Sequence, residues 1–187
     1  MSPSARPRSL ASMKTHALLL ALAAGMLAGC GSLPAKVETN RAEKLVWPVR
    51  KLLLVHSQRP GSRSLGTAFG DRLLAEIQRR LDAHDIPSVA LAFDSLEVDT
   101  EAKVRAAIAD HHPSHQLWIG PAFVRWAGGP GPNDLTVREL AMGFVLSELY
   151  PFREVWKGQA AFIGRPYESE IAETVVSRMA TDRLLER

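Results

Sequence analysis

The sequence predicts an α/β domain built on a single mixed sheet with packed helices. Three observations lead there. Residues 52–55 read Leu-Leu-Leu-Val, a short continuous apolar run of the kind that forms a strand buried on both faces. Phe69, Leu73, Ile77 and Leu81 recur at four-residue spacing, which on a helix of 3.6 residues per turn makes one apolar stripe. Two long segments, 136–149 and 154–162, flank Tyr150-Pro151-Phe152-Arg153, a turn-forming connection of hairpin length.

The elements follow in order. Residues 51–56 are the first strand, and a loop rich in Ser, Gly and Pro follows over 57–64. The first helix covers 65–84, with Leu74 beside its stripe and Arg72, Glu76, Arg79 and Arg80 on the opposite face. Ile86-Pro87 stops it, since proline cannot continue the hydrogen-bond ladder. Residues 88–93 are the second strand. A second helix spans 100–110, with Asp99 placed to cap it, Glu101 in its first turn, and Val104 and Ile108 facing inward. The third strand is 116–126, and Pro121 marks a bend or bulge within it. Gly128-Gly129-Pro130-Gly131-Pro132-Asn133 is a turn or loop. In the last strand Trp156, Ala160 and Phe162 share one face, with Lys157 and Gln159 on the other. The final helix covers 168–185, with Ile171, Val175 and Met179 as its stripe and Ala172 and Val176 alongside. The order is β-α-β-α-β-β-β-α. Its first part implies right-handed crossovers between parallel strands, and its second an antiparallel meander.

The amino terminus is of a different kind. Arg6, Arg8 and Lys14 supply positive charge, no acidic residue precedes Glu38, and an apolar run occupies 17–27. A basic stretch, a short apolar stretch and small residues make the pattern of a secretion signal. Met13-Lys14-Thr15-His16 has the look of a more usual start. The signal ends at Leu27-Ala28-Gly29-Cys30, which resembles the lipobox of bacterial lipoproteins. That resemblance implies a thioether-linked diacylglycerol on Cys30, cleavage before it, and acylation of the new amino group. A thiol is the nucleophile able to form a stable thioether, and small flanking residues let the backbone approach the enzyme. Gly31 stands where an Asp would mark inner-membrane retention in enterobacterial lipoproteins, so the resemblance points to the outer membrane, with the body facing the periplasm. The expected organisation is a signal over 1–29, a lipidated Cys30 and short tether over 30–44, and one domain over 45–187.

Charge and cysteine content narrow the function classes. The chain has 23 Lys and Arg against 20 Asp and Glu, and Arg6, Arg8 and Lys14 lie within the signal. Processing leaves a balanced domain. Nucleic-acid binding, which rests on a concentrated basic excess, loses its support. Cys30 is the only cysteine, so the domain has no internal disulfide and depends on its core.

Strand 51–56, helix 65–84, strand 88–93 and the late hairpin ending Glu154-Val155-Trp156-Lys157-Gly158, behind a lipobox, resemble a group of periplasmic α/β lipoprotein domains. The group includes the curli-secretion channel lipoprotein, the outer-membrane activators of penicillin-binding proteins, and the amino-terminal domain of the Tol-system translocation protein. The resemblance is one of layout over most of the mature chain, and it implies an envelope accessory role. The activators use a long tether to cross the peptidoglycan, whereas the tether here is short. The channel lipoprotein carries long amphipathic pore-building segments that have no counterpart here.

Several stretches invite chemistry. Asp110-His111-His112-Pro113-Ser114-His115 contains zinc- and nickel-type ligands, but adjacent histidines seldom point at one ion, and a histidine-bearing helix end explains the run more simply. Gly61-Ser62-Arg63-Ser64-Leu65-Gly66-Thr67 lies where a phosphate loop would, without the lysine that reaches outer phosphates; Arg59 and Arg63 with the helix amino terminus are a candidate anion site. His56-Ser57 are adjacent, yet neighbours on a strand point to opposite faces, and no Gly-x-Ser-x-Gly elbow appears. Asp94, Glu97 and Asp99 form an acidic rim explained by capping and solvation. Trp118, Trp126 and Trp156 fit a binding surface or the core: Trp156 is expected in the core, and Trp126, beside the glycine-rich loop, is the expected exposed partner-binding residue. The sequence thus predicts a non-enzymatic outer-membrane lipoprotein without cofactor or bound metal, held to the membrane by Cys30 and binding an envelope protein. The alternative is a ligand-, anion- or metal-binding lipoprotein.

Overall fold

The computed structural model describes residues 36–41, 48–58, 65, 67–94, 97–128 and 135–185. The signal, Cys30 and the loop bearing Arg59 and Arg63 lie outside the described residues.

Among the described residues six strands and three helices follow one another as β1 (Lys36–Arg41), β2 (Leu52–Ser57), α1 (Thr67–Asp82), β3 (Ser88–Phe93), α2 (Thr100–His111), β4 (His115–Gly128), β5 (Leu135–Leu149), β6 (Phe152–Ile163) and α3 (Glu168–Thr181). They form one mixed sheet of order β1-β6-β5-β4-β2-β3. β2 pairs in parallel with both β3 and β4, and the pairs β4–β5, β5–β6 and β6–β1 are antiparallel. The expected α/β order is present, parallel at the front and a meander behind. Pro121 sits at a register shift between Pro121 and Phe123, as its lack of an N–H donor requires.

Two expectations are corrected. Residues 36–41, read as tether, form edge strand β1, aligned from Lys36 opposite Ala161 to Arg41 opposite Trp156. The segment is polar and mixed in charge because an edge strand keeps one side in water. Only Val37 packs against the core, so the segment carries no apolar run. Asp99 does not cap α2 through its side chain: it takes a left-handed conformation (φ 61°), and its carbonyl accepts the Lys103 N–H at 3.1 Å.

The core lies between one sheet face and the pair α1 and α3. Leu52, Leu54, Leu117, Ile119, Met142, Leu146 and Phe162 meet Phe69, Leu73, Ile77 and Leu81 of α1 and Ile171, Val175 and Met179 of α3. Each such side chain contributes roughly 1.5–3 kcal/mol by leaving water. Trp156 belongs to this core, stacked on Phe144 with ring centroids 5.0 Å apart. α2 covers the other face only over β2 and β3, where Val104, Ala107 and Ile108 meet Leu53, Val55, Val89 and Leu91. No described helix lies on the second face of β4, β5, β6 and β1.

Candidate functional site

Three places bring together side chains that could carry a function. The first is the uncovered half-face. Its floor follows from strand alternation: Trp118 on β4 lies opposite Val145 on β5, and Gly143 on β5 opposite Gln159 on β6. On the same face Val145 pairs with Lys157 and Gln159 with Glu38. The indole of Trp118 lies across Gly120, where an added Cβ would come within 2.7 Å of the ring. Its Nε1–H donates to Ser57 Oγ at 2.8 Å, which fixes the ring. The result is an open concavity of about 750 Å³, lined in part by Trp118, Gly143, Val145, Lys157 and Gln159. Towards the ends of β4 and β6 the face continues through Phe123 and Ile163, both exposed.

The second place is a buried polar cluster at the opposite end of β4. His115 and Glu148 are both buried, with His115 Nε2 3.9 Å from Glu148 Oε1, beyond hydrogen-bond length. Arg153 Nη2 donates to Glu148 Oε2 at 2.9 Å. His115 Nδ1 lies 3.0 Å from Ser114 Oγ. Serine, histidine and glutamate in a row have the composition of a nucleophilic triad, but the hydroxyl is committed. It accepts the Arg50 and Lys51 N–H groups at 3.0 and 3.2 Å and donates to the Lys51 carbonyl at 3.1 Å. The cluster ties the start of β2 to β4 and the β5–β6 hairpin. Burial pushes the His115 pKa below its ordinary value, opposed by the charge of Glu148.

The third is His56, at the end of β2 and only 1 % exposed. Its ring sits beneath the first turn of α1, edge-on to Phe69, and an added Cβ at Gly70 would lie 2.5 Å from its Nδ1. Among the described residues neither ring nitrogen has a hydrogen-bond partner. Burial pushes its pKa down to about 4, against a smaller upward pull from Asp71. Ser57 points the other way, to Trp118, so the adjacent pair is split as strand geometry requires.

The remaining expected residues fall apart. His111 and His112 are exposed at the end of α2, with His112 left-handed (φ 47°), while His115 is turned into the interior. Among the described residues no three His, Cys, Asp or Glu side chains assemble as a metal site. Glu97 pairs with Lys103. Trp126, expected exposed, is half-buried, because the extra residue Ala122 at the register shift between Pro121 and Phe123 moves it to the side of Val124 and Val137, which pack on the main core. Among the described residues the exposed aromatics are instead Phe123, Tyr150, Phe152 and Tyr167. Phe123 lies just past the Pro121 register shift, and the others at the borders of elements: Tyr150 in the β5–β6 turn, Phe152 at the first position of β6 and Tyr167 just before α3.

No helix among the described residues is long and apolar enough to cross a membrane. No protein-family model and no curated protein matches the chain. Among solved structures, it is similar to the PelC dodecamer from Paraburkholderia phytofirmans, at 13% identity and a TM-score of 0.51, covering 81% of this chain and 99% of that one. Weaker likenesses are to lipoprotein GNA1162 from Neisseria meningitidis (13% identity, TM-score 0.41, 72% of this chain and 97% of that one) and a minor lipoprotein from Acinetobacter baumannii (10%, 0.31, 73% and 96%). The chain therefore shares its fold with PelC, and its structural neighbours include bacterial lipoproteins.

Proposed function

We propose that this chain is an outer-membrane lipoprotein, anchored through Cys30 and facing the periplasm, that works as a non-enzymatic contact module in the cell envelope. The uncovered half-face of its sheet is the contact surface. The observation that carries this reading is that β4, β5, β6 and β1 present Val145 and Phe123 outward with no described helix over them, beside Trp118, which packs on the edge of the small cluster under α2. Half-exposed apolar floors with charged rims are how protein-binding surfaces are built. Lys157, Gln159 and Glu38 supply that rim. The concavity is open along the sheet, which suits a protein surface better than an enclosed small ligand. Ser114 and His115 support a structural role for the one triad-like cluster, since the hydroxyl is already fully used.

The resemblance of residues 27–30 to a lipobox, and of the layout to the curli-secretion, penicillin-binding-protein-activator and Tol group, supports the envelope placement. The shared fold of a chain that forms a dodecamer makes a second copy one occupant of the face, and a different envelope protein the other. A photo-crosslinking residue placed at Val145 in living cells tests the reading. Adducts at multiples of the chain's own mass support self-assembly, and one reproducible heterologous adduct supports an accessory role. No adduct at Val145 in cells where the chain reaches the envelope overturns the surface assignment.

A further inference from the structure

Strand β1 bears on how the domain meets its membrane. β2, β4 and β6 run in one direction, and β1, antiparallel to β6, begins at the end where they finish. Lys36 is already paired opposite Ala161, near the end of β6. Between Cys30 and Lys36 stand five residues, Gly31 to Ala35. Even fully extended, the six steps from Cys30 to Lys36 reach about 20 Å, at roughly 3.3–3.6 Å per residue. β6 runs from Phe152 to Ile163, twelve residues, or about 40 Å at roughly 3.3 Å each. A lipid on Cys30 therefore holds the finishing end of β6 close to the bilayer, while an upright sheet keeps its other end far beyond reach.

That end has the chemistry of a membrane interface. Ile163 is 74 % exposed and Tyr167 70 %, and Phe123 is exposed beside them across Ala141 and Ala161. Ile163, Arg165 and Tyr167 belong to one short passage from β6 into α3, with Arg165 also exposed. Lys36, Arg125 and Arg138 add cations around it, set against Glu38, which pairs with Lys36, and Glu139, which pairs with Arg125. Exposed aliphatic and aromatic side chains interspersed with arginine are the composition of surfaces that rest in the headgroup layer. The other acidic residues of this end are Glu168 and Glu170 in the first turn of α3, where Glu168 pairs with Arg72 and Glu170 accepts the Tyr167 N–H, and Asp94, Glu97 and Asp99, which follow β3 at the far edge of the sheet.

We infer that the corner formed by Phe123, Ile163, Arg165 and Tyr167 rests on a phospholipid bilayer surface, with the sheet standing away from it. The inference depends on the lipoprotein reading above. The β5–β6 turn, with Tyr150 58 % and Phe152 67 % exposed, then faces away from the membrane.

The test uses the processed, lipidated chain. Acylation consumes Cys30, the only cysteine, so a single introduced cysteine is the only free thiol to label. Ile163→Cys and Phe152→Cys place an environment-sensitive fluorophore at either end of the same strand. Each protein is reconstituted into phosphatidylethanolamine–phosphatidylglycerol vesicles containing brominated lipid. Quenching at 163 at least threefold greater than at 152 supports the inference. Equal quenching at the two positions, or greater quenching at 152, overturns it. Mass spectrometry of the amino-terminal peptide and vesicle flotation separate the two readings. A chain that is acylated and floats, yet shows no excess quenching at 163, refutes the orientation alone. A chain without acyl mass refutes the lipoprotein reading and the orientation with it.

Discussion

His56 is the residue whose environment has the clearest measurable consequence. Its pKa falls from 6.5 to about 4 because burial penalises the imidazolium. In the unfolded chain it takes up a proton first as the pH drops. Stability is thus fully present above pH 6.5, is lost between 6.5 and about 4, and loses nothing more from this group below that range. The full window corresponds to about 3 kcal/mol. His115 is lowered for the same reason and works in the same direction. Denaturant unfolding at pH 7.5 and 4.5 measures the loss, and His56→Leu, which leaves no unpartnered ring nitrogens, is expected to remove most of its share. An unchanged pH dependence in that variant would show that His56 is not the group responsible. Gly158 gives a steric prediction. An added Cβ would stand 2.2 Å from Phe144 Cε2 and 2.8 Å from the Glu38 carbonyl, both in packed positions. Gly158→Ala is expected to cost about 1–3 kcal/mol. Gly143→Ala, whose Cβ meets nothing nearer than 3.7 Å on the open face, is expected to stay within about 0.5 kcal/mol. Thermal unfolding of the two variants side by side checks both.

At the scale of elements, β1 is held to the body by more than its pairing with β6. Arg178 of α3 donates to Thr39 Oγ1 through Nε and Nη2, at 2.8 and 2.6 Å, and to Asp182 at 3.2 Å. Asp182 in turn accepts from Trp156 Nε1 at 2.8 Å, and its carbonyl accepts from Arg41. Arg178→Ala should lower stability by about 1.5–3 kcal/mol, the range for hydrogen bonds involving a charged group. Its signature should be local, with faster amide exchange over 36–41 and little change over 52–57. A uniform acceleration would mean that β1 unfolds only with the whole domain. The side-by-side pairing of α1 and α3 rests chiefly on the apolar stripe. Arg72 with Glu168 and Arg80 with Glu173 join their outer edges, but each pair has an exposed partner and is worth less than about 1 kcal/mol. Arg80→Ala should therefore leave the helix pair intact, and whatever it costs should shrink further in high salt, as melting curves at two ionic strengths would reveal.

At the scale of the whole molecule, the same edge strand sets the geometry of anchoring and the extent of the open face. β1 takes up six residues of the segment expected as tether and leaves five between Cys30 and Lys36, so an anchor at Cys30 would leave the domain little freedom to move away. Cys30→Ala should release the chain from membranes after a salt wash, since two or three acyl chains supply far more apolar burial than an exposed corner, at about 0.8 kcal/mol per methylene. Persistent membrane fractionation would identify the protein surface, and not the lipid, as the anchor. β1 also extends the uncovered face by one strand, placing Glu38 and Asn40 beside Gln159 and Lys157. The domain thus offers two surfaces of different character: a mixed apolar and basic corner at one end, and a broad floor with a charged rim across the sheet.

Much of this architecture is written in local pattern. The run at 52–55, the stripe from Phe69 to Leu81 and the alternation around Trp156 each specify an element by the spacing of apolar groups, and the α/β order of eight elements follows from them. The resemblance of residues 27–30 to a lipobox is equally local, since it rests on four adjacent residues. What local pattern lacks is any record of edges and neighbours. β1 is invisible because an edge strand with one core contact carries no apolar period, and its partner, β6, is more than a hundred residues away. The side to which Trp126 turns depends on a register shift created by the pairing of β4 with β5. The serine–histidine–glutamate cluster closes only when β2, β4 and the β5–β6 hairpin meet. The sequence alone determined which segments bury apolar side chains, because burial is encoded in periodicity. The tertiary structure decided which surface stays open and at which end of the sheet the strand nearest Cys30 begins, because both depend on strand order and register between segments far apart in the chain.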